Sequence, residues 1–122
     1  MSTVKPIQKD AGPSTADLTA SQWYACKRTP AGIAVADSTE SVAGIIEYPG
    51  FKVGTTTTYH TLGRSKVKTL VAVVAGDLAK ISATPGVATK AAAGDAYFGI
   101  FADAGPAGSI VPIDLDRGIR QV

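Results

Sequence analysis

Apolar residues in this chain come in short runs, and turn residues cut them at short intervals. The pattern is clearest over residues 67–115. The run 67–75 stops at Gly76-Asp77, and 78–81 is followed by the turn Thr84-Pro85-Gly86. Residues 87–90 precede Gly94-Asp95, 96–102 precede Gly105-Pro106-Ala107-Gly108, and 110–115 is the last run. Strand-sized runs rich in Val, Ile and aromatics between Gly, Pro and Asp clusters predict an antiparallel all-β domain. No helical period of 3.6 survives those breaks.

The first half reads the same way. Residues 22–28, 33–36 and 42–48 predict strands, with turns at Thr29-Pro30-Ala31-Gly32 and Pro49-Gly50. Residues 51–62 hold four successive threonines and predict extended chain, because β-branching restricts χ1. Gly63-Arg64-Ser65-Lys66 predicts a turn into a long strand at 67–75. At Gly76-Asp77 and Gly94-Asp95 the glycine is expected to supply φ > 0 or a bulge, and the aspartate to cap local N–H groups. The segments C-K-R-T-P-A-G-I-A-V-A and K-I-S-A-T-P-G-V-A-T-K echo one another faintly. Each reads as strand, Thr-Pro turn with Gly, then a small-residue strand. Duplication and shared turn chemistry explain the likeness equally well, and two copies do not make a solenoid.

Residues 1–21 differ from the rest. They hold two prolines, Pro6 and Pro13, and the scattered apolar residues Val4, Ile7 and Leu18. Such a segment cannot build its own core. The expected organisation is therefore an extended N-terminal arm, 1–21, and a β-domain, 22–122. The fold class is all-β, a small antiparallel β-barrel or sandwich. Val4, Ile7 and Leu18 are expected to anchor the arm on a neighbouring subunit or another partner by strand addition, and Pro6 and Pro13, at the same interface, to limit the pairing to short stretches. Ser14 and Asp17 have capping-box spacing, so one helical turn fits there. The polar residues 114–122 are expected to lie on the surface.

Composition narrows the function. The chain has 122 residues, room for one small core. Its charged fraction is 18%, below the roughly 25% of an average soluble domain, which points to surface covered by partners. A net charge of +2 argues against nucleic acid as the main ligand. M-S-T-V-K-P shows no apolar signal-peptide core, and no run approaches a membrane span, so a soluble chain made in a cytoplasm is expected.

Candidate chemistry is sparse. Cys26 and His60 are the single thiol and the single imidazole. A Cys/His nucleophilic pair has no local support, so Cys26 is expected to be a small buried hydrophobe and His60 a solvent-facing strand residue. Zinc is short of ligands by count. Asp114 and Asp116 form a D-x-D pair, read as a solvated strand end rather than a cation site. Arg64, Ser65, Lys66 and Lys68 form the basic cluster of the chain. It reads as a solvated hairpin tip, with Arg64 and Lys66 available to an acidic partner surface. Trp23 and Tyr24 are adjacent, so on a strand one enters the core and the other faces an interface. No metal, cofactor or catalytic group is expected; binding or structure is the function class.

Several of these residues carry a family resemblance. They are Gly76-Asp77-Leu78-Ala79-Lys80-Ile81, Pro85-Gly86-Val87-Ala88-Thr89, Ala93-Gly94-Asp95-Ala96-Tyr97-Phe98-Gly99-Ile100, Ala104-Gly105 and Gly108-Ser109-Ile110-Val111-Pro112-Ile113-Asp114-Leu115. This pattern resembles the capsid cement or decoration proteins of tailed bacteriophages over roughly residues 67–115. The resemblance implies a small β-barrel-like virion protein on the outer surface of an expanded head. It implies the major capsid protein as partner, a homotrimer, and stabilisation of the shell, with no nucleic acid or membrane partner. Residues 22–62 depart from the pattern, and the tail 1–21 is unusual for it. Two other classes stand beside it: a carbohydrate- or receptor-binding β-module of a phage tail or fibre, and a Cys/His hydrolase.

Overall fold

The computed structural model describes residues 8–92 and 94–121, and side-chain surroundings for 9–92 and 94–115. Val4, Pro6 and Ile7 lie outside the described residues. Strands carry 52% of the chain and helical turns 6%. The strands are β1 (Gln8–Pro13), β2 (Ala25–Thr29), β3 (Gly32–Val35), β4 (Gly44–Tyr48), β5 (Thr56–Lys68), β6 (Leu78–Ile81), β7 (Ala88–Lys90), β8 (Ala96–Phe101) and β9 (Ile110–Gln121). Every ladder between them is antiparallel. They form one curled half-barrel sheet in the order β3-β2-β4-β5-β9-β8-β6-β7, with β1 also on β5. This is the all-β antiparallel fold the turn spacing predicts.

The order contains the same arrangement twice. β2, β3, β4 and the first half of β5 pair as β6, β7, β8 and the first half of β9 do. β1 lies on β5 as the second half of β5 lies on β9, with matching registers: Lys9↔His60 and Pro13↔Thr56 beside Arg64↔Asp114 and Lys68↔Ile110. The parallel bridge Ser14↔Ile33 recurs as Thr69↔Ala88. Loop hydrogen bonds repeat as well. Ala36 N–H donates to Ala25 O at 2.9 Å, and Ala91 N–H to Leu78 O at 2.7 Å. The two hairpins of the sequence echo, β2–β3 and β6–β7, occupy equivalent places. The echo thus marks a structural repeat, and shared turn chemistry alone does not explain it.

The core repeats too. Leu18, Cys26, Ile33, Ile46 and Tyr59 form one buried cluster. Their counterparts Val73, Ala79, Ala88, Phe101 and Ile113 lie in the other. Fully burying one such side chain is worth roughly 1.5–3 kcal/mol, so neither cluster is large by itself. Ala25, Ala36 and Ile45 of the first repeat pack into the second cluster with Val67 and Val111, which makes one domain. The turn at Gly86 ties the ends of the curled sheet together. Its carbonyl accepts from Ala25 N–H and its N–H donates to Ala36 O, both at 2.8 Å. A Cβ there would lie 2.6 Å from Val35 Cγ1, so only glycine allows this approach.

Several segments differ from the expectation. The predicted turn at 63–66 is the middle of β5; Gly63 takes φ 94 and the strand continues past it. The run 67–75 leaves the sheet after Lys68, because Thr69 bridges β7 and the chain then wraps across the repeat. Residues 114–121 belong to β9 and pair with β8. Residues 8–21 lie against their own domain rather than standing off it as an arm. β1 pairs with β5 of its own chain, and Ser14 Oγ donates to Thr55 O at 2.7 Å. The helical turn falls at Thr19–Ser21, after the predicted capping pair.

Candidate interaction surface

A largely buried polar cluster on β5 is built by two irregularities in pairing. Between β4 and β5 the register slips at Glu47, and between β1 and β5 it slips between Gln8 and Lys9. Bulges re-aim side chains, and here they bring three elements onto His60. His60 Nδ1 lies 2.7 Å from Ser65 Oγ, across the Gly63 irregularity. His60 Nε2 lies 3.0 Å from Glu47 Oε2, off the line of a well-formed hydrogen bond. Lys9 Nζ lies 3.0 Å from Glu47 Oε1. Burial alone would raise the Glu47 carboxyl; the Lys9 hydrogen bond and the His60 ring outweigh it and hold it below the ordinary glutamate range.

Trp23 covers this cluster. It precedes β2 in the left-handed region, φ 65, which is an outlier for a bulky side chain. Its N–H donates to Ile46 O at 2.8 Å and its carbonyl accepts from Lys68 N–H at 3.0 Å, so the surrounding sheet holds the strained backbone. The ring centroid lies 6.2 Å from that of His60, and Lys66 Nζ lies 5.5 Å from the indole centroid on another side. Such a cation–π contact is worth roughly 0.5–1 kcal/mol near solvent.

Of the residues singled out from the sequence, Trp23 and Lys66 come together. Arg64, on the same exposed side of β5 as Lys66, pairs with Asp114 through Nε at 2.5 Å. Tyr24 is half-buried against Gly86. Trp23 and Tyr24 do not alternate in and out, because both precede the strand. Leu18 is 4% exposed in its own core, so it is not an anchor for a partner. His60, expected to face solvent, is 5% exposed. Cys26 is fully buried, as expected, and burial pushes its thiol up to about 12. The side chain of Asp116 lies outside the described residues.

Ser65, His60 and Glu47 follow one another like a nucleophile, base and acid. Ser65 is only 5% exposed, and His60 Nε2 makes no well-formed hydrogen bond to Glu47. The chain of contacts joins β1, β4 and β5 instead. Among the described residues no group of three or more His, Cys, Asp or Glu side chains could hold a metal, and no helix is long and apolar enough to cross a membrane.

The sequence reading missed the loop between β4 and β5. Tyr48, Phe51 and Val53 are 63%, 65% and 69% exposed. The available signal was their position: Tyr48 ends β4 just before the Pro49-Gly50 turn, and Phe51 and Val53 follow that turn outside any strand. No protein family, curated protein or solved structure matches this chain.

Proposed function

We propose that this chain is a non-enzymatic structural protein that binds the outer surface of a phage head and stabilises it. One observation carries the reading: the residues of the cement-protein resemblance coincide with the second structural repeat. Gly76 and Gly94 take φ 94 and 89, and Asp77 and Asp95 accept the N–H groups of Val74 and Ala92 at 2.9 and 2.8 Å. Gly99 meets the Asp114 carbonyl so closely that a Cβ would sit 2.9 Å from it. The resembled pattern thus falls on one structural repeat rather than on scattered turn residues. The major capsid protein is the proposed partner, and the proposed working form is a homotrimer on the virion. The test is binding of the purified chain to empty expanded heads of its source phage, followed by sedimentation. Saturable binding that raises the heads' melting temperature is expected; absence of binding rejects the reading.

A second reading is a carbohydrate- or receptor-binding module of a tail or fibre. Exposed Tyr48 and Phe51 favour it, since sugar-binding modules need open aromatic faces. Trp23 does not, because its ring packs on the core and meets Lys66. A glycan array distinguishes the two.

A further inference from the structure

The two repeats supply an internal control for the loop between β4 and β5, because the same loop follows β8. The carbonyls of Gly50 and Gly105 accept the N–H groups of Leu18 and Val73 at 2.8 and 3.0 Å. Gly54 and Gly108, at φ 87 and 79, donate their N–H groups to Ser14 O and Thr69 O at 2.8 and 2.9 Å. The hydroxyls of Thr55 and Ser109 donate to Lys52 O and Pro106 O at 2.6 and 2.7 Å. Glycines and one hydroxyl residue therefore specify the backbone of both loops.

Their side chains differ. The second loop has Asp103 and Ala107 where the first has Tyr48 and Val53, and it has no residue matching Phe51. The second loop, one residue shorter, makes the matching hydrogen bonds without those large apolar groups. All three nevertheless stand in water, each more than 60% exposed. A concentrated apolar tip that the fold does not need marks an interaction site. Lys52 is the loop's single charge, with Nζ 5.7 Å from the Phe51 ring centroid.

We infer that Tyr48, Phe51 and Val53 form a docking knob that enters an apolar socket on the protein shell, with Lys52 meeting a carboxylate on the socket rim. This rests on the decoration reading above. Large anchors in a water-free pocket dominate protein interfaces, and a rim charge fixes orientation. A lipid surface fits less well, because stable attachment there takes a second signal such as a polybasic patch, and this loop has one cation. The loop adjoins the Pro13 end of β1, whereas residues 1–7 lead into its other end, about 20 Å away. Loop and terminus can thus be tested separately.

The test grafts the second loop onto the first: Tyr48→Asp and Val53→Ala with Phe51 deleted. A milder variant, Tyr48→Ser with Phe51→Ser, serves if the graft fails to fold. Both are compared with the full wild-type chain on empty expanded heads, on phosphatidylserine vesicles, on a glycan array and for self-association by ultracentrifugation. Melting close to wild type and head binding at least about tenfold weaker is the expected result. Lys52→Glu is expected to weaken head binding and reduce its salt dependence. Wild-type heads binding with an equally tight graft overturns the knob alone. A wild type that binds no heads overturns the decoration reading and the knob together. Loss confined to vesicle binding, glycan binding or self-association assigns the loop to a lipid, a sugar or a second copy and overturns the protein socket.

Discussion

Trp23 and Gly76 occupy the same place in the two repeats. Both have positive φ, 65 and 94, and both donate their N–H at 2.8 Å to the equivalent strand carbonyl, Ile46 O and Phe101 O. The backbone of this fold requires a left-handed residue there. The second repeat fills the position with glycine; the first holds a tryptophan that packs on the core, faces His60 and meets Lys66. Left-handed backbone at a bulky residue costs on the order of 1–3 kcal/mol, so the contacts of the ring offset a real strain.

This makes an unusual ordering testable. Trp23→Ala and Trp23→Gly both remove the ring, but only glycine also relieves the backbone. Trp23→Gly is expected to be more stable than Trp23→Ala by about 1 kcal/mol, reversing the usual order within ordered structure. Paired urea titrations measure the difference, and an alanine variant as stable as the glycine one would remove the strain from the account.

Two glycines are expected to fail for different reasons. A Cβ on Gly76 meets nothing within 4 Å, so Gly76→Ala costs only its φ, about 1 kcal/mol. A Cβ on Gly44 would lie 2.1 Å from the His60 carbonyl, a backbone atom of the neighbouring strand. Gly44→Ala must push β4 off β5 and is expected to cost about 3 kcal/mol or more. Thermal melts of the two variants give the comparison.

Ser14 tests whether the start of the chain belongs to the domain. It is 1% exposed, its hydroxyl donates to Thr55 O at 2.7 Å, and it lies 2.5 Å from Thr57 Oγ1. Ser14→Ala leaves that pair short of a partner and is expected to cost about 1–3 kcal/mol. Removing residues 8–15 is expected to lower the melting temperature sharply. A truncated chain that melts like wild type would show that β1 is dispensable.

The Glu47 carboxyl is held below its ordinary value in the fold by Lys9 and His60 acting against burial. A depressed carboxylate contributes stability that is fully present above its unfolded value, near pH 4.3, and is lost as pH falls through the lower folded value. Wild type is therefore expected to lose stability on acidification below about pH 5, and Glu47→Gln to lose less over that window. Melting temperatures from pH 7 to pH 3 for both chains check the sign.

Cys26 is expected to resist thiol reagents in the native state, because its thiol is fully buried and shifted up to about 12. Labelling should track global unfolding as urea is added. Fast labelling without denaturant would contradict the burial.

The sequence alone determined the strand class and most turns, because these are local. Gly76-Asp77 and Gly94-Asp95 state their own geometry: a positive φ and a carboxylate that caps the N–H three positions back. Cys26 in an apolar run was legible as core for the same reason. Tertiary structure decided what depends on pairing between distant segments. Gly63 reads as a turn, yet pairing with β9 carries the strand straight through it. His60 reads as a solvated strand residue, but Glu47, Lys9 and Trp23 arrive from three other segments and bury it. Leu18 reads as a free anchor until Cys26, Ile33, Ile46 and Tyr59 close around it. The repeat itself was nearly silent in the residues, because backbone hydrogen bonds and small buried side chains, not particular amino acids, carry it.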